Sequence, residues 1–569
     1  MSWLASHLAP LMLLVLIPLL FCGIPVAFSL AACGLLFGVI GMQLGLLPWH
    51  LLGALPLRVY GILANENLLA IPFFTFMGLI LQKSGMAEDL LETVGQVFGP
   101  VRGGLALTVI FVGALMAATT GVVAASVISM GLISLPVMLR HGYQPAFASG
   151  VISASGSLTQ IVPPSLVLIV MGDQLGVSLG DMYAGALVPA ALLIGGYALL
   201  VIIVALLRPG WVPAVPREAN AVPARGASSG HRSLGVLMLI SVFIGGVLLE
   251  GYPALLRASG RDFAPPTDEL AMAGVAATVL AAFVLALADS LTRLHWLSAL
   301  ARRVAFVLIP PLILIFLVLG SIVFGVATPT EGGAMGASGA LALAAARGRF
   351  SRQGLAQALL SASKIACVVM LLMVGSTIFS LSFNLLEGGA SIERLFALLP
   401  GGPTGFLLFA TALIFVLGMF LDFFEIAVVL VPLLAPIAHK LGIDLIWFGV
   451  LIGVNLQTSF LTPPFGFALF FLRGVAPQED RTDPRTGRLI RGLSTRDIYV
   501  GVQPFVLVQV LVMGLMIAFP SIVLSSLDRS APKVPAARIE QLMREMSGPS
   551  RAQDRADPAA LLIESMKRP

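Results

Sequence analysis

At 569 residues the chain is long enough for several soluble domains, yet it is 58% hydrophobic and only 11% charged. Soluble domains carry about 25% charged residues, so the balance excludes an ordinary globular enzyme and fits a polytopic membrane protein. The net charge of +5 is small and sits mostly in loops, so nucleic acid is not an expected partner and the lipid bilayer is.

In chain order, residues 8–47 are almost wholly apolar and are broken at Gly23-Ile24-Pro25. At about 1.5 Å per residue this is too long for one straight span, so a bent helix or two is expected. No Lys or Arg precedes Arg58, so the basic start of a secretion signal is missing and the run is expected to stay as membrane structure. The stretch from Asn65 to Ser84 reads either as a span or as a re-entrant hairpin. After an amphipathic link, apolar segments cover 104–118, 122–139, 146–161, 164–172 and 183–207, and Thr119-Thr120-Gly121 reads as a further break.

Residues 1–207 thus form a first transmembrane repeat, followed by a polar linker over 208–233. The linker is rich in Pro, Ala, Gly and Ser, and it carries four arginines against Glu218, which predicts a cytoplasmic loop. Additional transmembrane helices are expected within 234–290. A second repeat then occupies 291–526, with apolar segments over 304–325, 365–386, 404–421, 424–440, 446–460, 464–472 and 499–524. The charged stretch 478–497 reads as a solvent loop, and 527–569 as a polar tail without a domain of its own. Cys22, Cys33 and Cys367 lack metal-ligand spacing and read as packing residues.

The most informative stretch runs from Ser153 to Pro164: small and polar, stopped by two prolines and flanked by apolar sequence. Its counterpart runs from Gly453 to Pro464. Pro163 and Pro164 map onto Pro463 and Pro464 at an offset of 300, as Pro136 does onto Pro436 and Gly142 onto Gly442. Shared punctuation with few shared side chains is what an internal duplication keeps when backbone shape matters most. The prolines remove the N–H groups that would bond the carbonyls of Thr159 and Gln160, and of Ser459 and Phe460 in the second copy. In lipid an unpaired backbone group costs several kcal/mol, so such breaks persist only inside protein or beside a polar cavity. Matching broken segments in two halves point to a transporter's binding site.

Several stretches resemble the large membrane subunit of tripartite ATP-independent periplasmic (TRAP) transporters. They are Leu69-Ala70-Ile71-Pro72-Phe73-Phe74, Arg140-His141-Gly142-Tyr143, Val162-Pro163-Pro164, Ala327-Thr328-Pro329-Thr330-Glu331, Gly418-Met419-Phe420-Leu421-Asp422 and Asn455 through Pro464. The resemblance spans residues 8–525. It implies an all-α polytopic protein of the bacterial inner membrane, with two inverted structural repeats, re-entrant hairpins and broken helices. It further implies a sodium-driven importer of organic acids, such as dicarboxylates or 2-oxo and hydroxy acids, that works as an elevator. The implied partners are a small membrane subunit and a periplasmic substrate-binding protein. Many family members carry a Gly-Ser-Ala type run where this chain has Thr119 through Ser126, so the ligands there are not carried over. The helices in 234–290, the insert near 480–494 and the tail also exceed a compact member.

Sodium, a hard cation, takes oxygen ligands, which unwound carbonyls and Ser or Thr hydroxyls supply. The candidate ion ligands are Ser155, Gly156, Ser157 and Thr159 in the first half, and Asn455, Thr458, Ser459 and Thr462 in the second. Asp422, which shares a helical face with Glu425, joins them as a counter-charge. Thr119, Thr120, Gln457 and Arg473 are candidates for substrate contact. Thr328, Pro329 and Glu331 fit a helix cap, with the threonine at N-cap and the proline at the first helical position. Two other readings remain: a stand-alone sodium or proton symporter, and a membrane-embedded enzyme. The enzyme reading lacks a catalytic constellation such as HExxH or a Cys/His cluster.

Overall fold

The computed structural model describes residues 7–214, 227–258, 267–292, 296–397, 400–482, 489–490, 492–525 and 527. The expected tail beyond Leu527, the middle of the linker (215–226) and part of the insert therefore lie outside the described residues. Helices dominate the rest. Among the described residues eight are long and apolar enough to cross a membrane, or up to ten if two bent pairs each count as one span.

The first apolar run is two helices, α1 (Leu8–Phe21) and α2 (Val26–Gln43). Gly23 at φ 75° makes the turn between them, and Pro25 stands as the N-cap of α2. Helix α3 (Ala54–Leu63) and the helical stretch Glu66–Lys83, whose main part is α4 (Ala70–Lys83), form one of the bent pairs, kinked by 46°, a geometry that fits a broken span and a re-entrant loop alike. The amphipathic α5 (Met86–Phe98) follows. Next come α6 (Gly104–Thr120) and α7 (Val123–Arg140), joined only by Gly121 and Val122, with Gly121 at φ 62°. That turn makes a helical hairpin. Seventeen residues rise about 25 Å, short of the roughly 30 Å apolar thickness of a bilayer.

Helix α8 (Pro145–Ser157) has Pro145 at its first position and the Gln144 side chain as its cap, accepting the Phe147 N–H at 2.6 Å. It passes through a 3-10 turn (Leu158–Gln160) and the two prolines into α9 (Leu166–Leu175). The long α10 (Leu179–Leu207) ends the first half. The additional helices, α11 (Ala227–Ala258) and α12 (Thr267–Thr292), are longer than their apolar cores suggest. They pack on α13 (Ala299–Val323) through their own small core of Leu237, Ala286, Ala301 and Ala305.

The second half continues with α14 (Pro329–Ala346), α15 (Arg352–Leu385), α16 (Gly388–Ala397) and α17 (Gly402–Leu417). Helix α14 opens on the expected cap: Thr328 Oγ1 accepts the Glu331 N–H at 3.3 Å, and Glu331 Oε2 accepts the Thr328 N–H at 2.8 Å. The segment 424–440 is not one helix but α18 (Phe423–Val429) and α19 (Val431–Lys440), bent by 51°. Pro432 supplies the reason, since it has no N–H to continue the ladder. The second broken helix is α20 (Leu445–Phe460) with α21 (Phe467–Val475), and α22 (Thr495–Ala518) and α23 (Ser521–Leu524) are the last helices among the described residues. The solvent loop between α21 and α22 holds two short antiparallel strands, β1 (Arg481–Thr482) and β2 (Leu489–Ile490).

The halves interlock where side chains are smallest. A Cβ on Gly34 of α2 would lie 2.8 Å from the backbone of Ile378 and Phe379 on α15, and one on Gly38 would lie 2.8 Å from Ser382 Oγ. Helix α4 meets α14 at Gly336, where a Cβ would stand 2.6 Å from the Met77 sulfur. Gly150 of α8 lies against the Gly501 carbonyl on α22. Small residues that let backbones approach are how helices associate where lipid offers no hydrophobic drive.

Candidate transport site

The two broken helices meet each other. Gly453 of α20 faces Ile161, where a Cβ would lie 3.3 Å from its Cδ1. Gln457 Nε2 donates to Ser157 Oγ at 3.3 Å and to the Tyr197 hydroxyl at 3.1 Å, and Gln509 Nε2 reaches the same tyrosine at 2.7 Å. The Pro163-Pro164 and Pro463-Pro464 bonds are both cis.

Each break is also met by the preceding hairpin turn. The α6–α7 hairpin clasps α8: a Cβ on Gly113 would sit 2.6 Å from Ser155 Cβ, and Gly156 lies against Val127. At its turn, a Cβ on Gly121 would be 2.9 Å from Leu166. In the second half, a Cβ on Gly418, at the end of α17, would lie 2.9 Å from Ser459. At Gly113 and Gly418 another residue's Cβ occupies the space, and at Gly121 the positive φ of 62° favours glycine as well.

The expected hydroxyl ligands are all placed at or beside the breaks, and all are tied to their own helices. Ser155, Ser157 and Thr159 donate to the carbonyls of Ile152, Ala154 and Gly156 at 2.9–3.0 Å. Thr458, Ser459 and Thr462 donate to Val454, Asn455 and Thr458 at 2.8–3.0 Å. Thr119 and Thr120 both donate to Met116 at 2.9 Å. Donation fixes each hydrogen and leaves the oxygen lone pairs for a cation. Asn455 goes further: its Nδ2 donates to Thr411 at 2.8 Å, while its buried Oδ1 has no partner among the described residues. The same holds for Gln457 Oε1 and for both polar atoms of Gln160. Buried amide oxygens without donors are hard-cation ligands by chemistry, so the residues present suit sodium.

Three expectations change. The Gln160 carbonyl is not an orphan, since Ser165 Oγ donates to it at 2.8 Å, and the Ser459 carbonyl accepts the Thr462 N–H at 3.0 Å. A hydroxyl after the prolines and a tightened last turn replace the lost bonds. Asp422 and Glu425 do not share the face of one helix. Asp422 precedes α18 as its N-cap, with Oδ1 accepting the Phe423 N–H at 2.8 Å, and Glu425 Oε2 accepts the Asp422 N–H at 2.9 Å. Arg473 is held at the end of α21, where Nη1 donates to the Leu493 carbonyl at 2.6 Å. It therefore anchors the insert and does not line the cavity described next.

That cavity, of about 350 Å³, opens between the first hairpin turn, α15, the cap of α18 and the second break. Val122, Val123 and Ala124 border it on one side, and Phe460, Phe467 and Phe471 on another. Asp422 with Phe423 and Phe424 forms a third wall, and Lys364, Ile365 and Val368 of α15 a fourth. Lys364 was not singled out by the sequence. It stands just ahead of an apolar run, where a lysine reads as the solvated end of a span, and only the fold brings it to the same cavity as Asp422.

A polytopic all-α membrane protein with paired broken helices, one of which borders an open cavity beside the first hairpin turn, belongs to the transporter class. The family model for the DctM component of the tripartite ATP-independent periplasmic transporter matches residues 13–522, and the chain belongs to that family. It is similar to the C4-dicarboxylate TRAP transporter large permease protein of Pseudomonas aeruginosa, at 27% identity over 74% of this chain and 80% of that one. The sialic acid TRAP transporter large permease protein of Vibrio cholerae is 25% identical over 80% of this chain and 87% of its own length. In fold the chain is similar to the Alcanivorax borkumensis YdaH transporter, whose crystal structure has an unusual topology (TM-score 0.50, 16% identity, 91% of this chain and 99% of that one). The protein is therefore a large permease subunit, multi-pass in the inner membrane, and a transporter component, not an enzyme. Membership implies, in general, a small membrane subunit and a periplasmic binding protein as partners.

Proposed function

We propose that this permease imports small organic acids, driven by sodium and delivered by a periplasmic binding protein. The observation that carries the reading is the cavity at which a hairpin turn from the first half meets the break of the second, with one cation and one anion in its wall. The unpartnered Asn455 Oδ1, on the helix that leads into that break, supports a sodium site, assisted by Ser459 and Thr462. The relatives named above carry a C4-dicarboxylate and sialic acid, both carboxylic acids.

Two further features of the reading are an inverted relation between the halves and elevator movement. Ser157 and Gln457, equivalent at the 300-residue offset, touch each other, which supports a local two-fold axis between them. The glycine contacts of α6, α8 and α17 favour a hairpin-and-break body that moves as a unit.

The test is reconstitution in liposomes with an inward sodium gradient. The chain with its small subunit and a loaded binding protein should accumulate the acid. The same vesicles without the binding protein, or with potassium in place of sodium, should not. Brisk uptake by the isolated chain would instead make it a stand-alone symporter.

A further inference from the structure

The wall of the cavity says more about the cargo than family membership does. Among its lining residues Lys364 is the one cation and Asp422 the one anion, and every other side chain is apolar. Phe460 and Phe467 pack with ring centroids 4.9 Å apart, and Phe471 continues the aromatic wall beyond Phe467. Asp422 is already engaged, its Oδ1 holding the start of α18. Lys364 makes no ion pair or hydrogen bond among the described residues. Its ammonium is thus the free partner for an anion.

Three kinds of acid can be compared on this lining. A dicarboxylate would bring two negative charges beside Asp422 against a single lysine, and its second carboxylate would face phenylalanine rings without a donor. Burying a charge without a partner is strongly unfavourable. A polyhydroxylated sugar acid would leave its hydroxyls unpaired against the same rings, each a lost hydrogen bond. An acid with one carboxylate and an aromatic or branched apolar body meets neither penalty. A volume of about 350 Å³ is within the range of ligand pockets, roughly 300–1,000 Å³.

We propose that this permease carries monocarboxylates with an apolar body, aromatic or branched aliphatic, and that Lys364 is the residue that takes the carboxylate. The proposal rests on the reading of the chain as an organic-acid importer and narrows it.

Direct binding tests it without the selectivity of the delivering protein. The permease with its small subunit, in nanodiscs and in sodium buffer, is titrated calorimetrically with phenylacetate, 4-methyl-2-oxopentanoate, succinate, L-phenylalanine and 2-phenylethanol. Phenylacetate and 4-methyl-2-oxopentanoate should bind at least about tenfold more tightly than the other three. Lys364→Gln should lose about tenfold for phenylacetate, and Lys364→Arg should recover most of it. Succinate binding as tightly as phenylacetate would overturn the substrate class and leave the organic-acid reading standing. Equal binding of 2-phenylethanol would reduce the cavity to an apolar crevice and overturn the proposal. Unchanged phenylacetate affinity in Lys364→Gln would remove the lysine from its role. Tight L-phenylalanine with no affinity for any of the three acids would overturn the organic-acid reading itself.

Discussion

Removing one hydroxyl from Tyr197 should destabilise the permease more than removing the entire amide of Gln457. Tyr197 is fully buried, and its oxygen accepts from Gln457 at 3.1 Å and Gln509 at 2.7 Å. In Tyr197→Phe the ring keeps its edge contact with Phe505, at 5.5 Å between centroids, so little packing is lost. What is lost is the acceptor, which strands the Gln509 N–H in the interior. An unsatisfied buried group costs about 1–3 kcal/mol. Gln457→Leu also loses two hydrogen bonds, at about 0.6 kcal/mol each inside a membrane protein, or about 1.2 kcal/mol together. It removes Gln457 Oε1 as well, a buried oxygen without a partner, and that relief is worth about 1–3 kcal/mol. The relief offsets the loss at its lower end and exceeds it at its upper end, leaving the variant between neutral and about 2 kcal/mol more stable. Reversible unfolding in mixed micelles, followed by tryptophan fluorescence, would give both values. If Gln457→Leu proved the less stable of the two, the accounting of donors and acceptors in this cluster would be wrong.

Replacing Pro163-Pro164 or Pro463-Pro464 by Ala-Ala restores the missing N–H groups and lets helix run through the break. Sodium-driven uptake should fall to background while membrane insertion and purification yield stay normal; sodium-dependent uptake surviving in both variants would refute the role given to the breaks. Asp422→Asn should keep α18 capped, because asparagine also caps helices, yet raise the sodium concentration for half-maximal uptake. An unaltered half-saturation would return Asp422 to a purely structural part.

Punctuation was the legible part of this molecule. Gly23-Ile24-Pro25, Thr119-Thr120-Gly121 and the two proline pairs each end a helix, because proline and positive-φ glycine act on the local chain whatever surrounds it. The Thr328-Pro329-Glu331 cap is local in the same sense. Lys364 and Arg473 were not legible, because both are lysine or arginine at the edge of an apolar run. One faces the cavity and the other holds the Leu493 carbonyl, and only tertiary packing separates them. Asp422 misled for a different reason. Its spacing from Glu425 fits both a helical face and a capping box, and the choice depends on where the helix begins.

The glycine seam between α2 and α15 has a consequence for how the two halves are held. Together with α4 against α14 and α8 against α22, it pairs a helix from before Leu207 with one from after Ala299 at three extensive crossings. Among the described residues these crossings bury faces of one half against the other, so side-by-side packing holds the two together. Two separate polypeptides, divided between Ala214 and Ala227 and inserted into the same membrane, would still carry these three crossings and should reassemble into the permease.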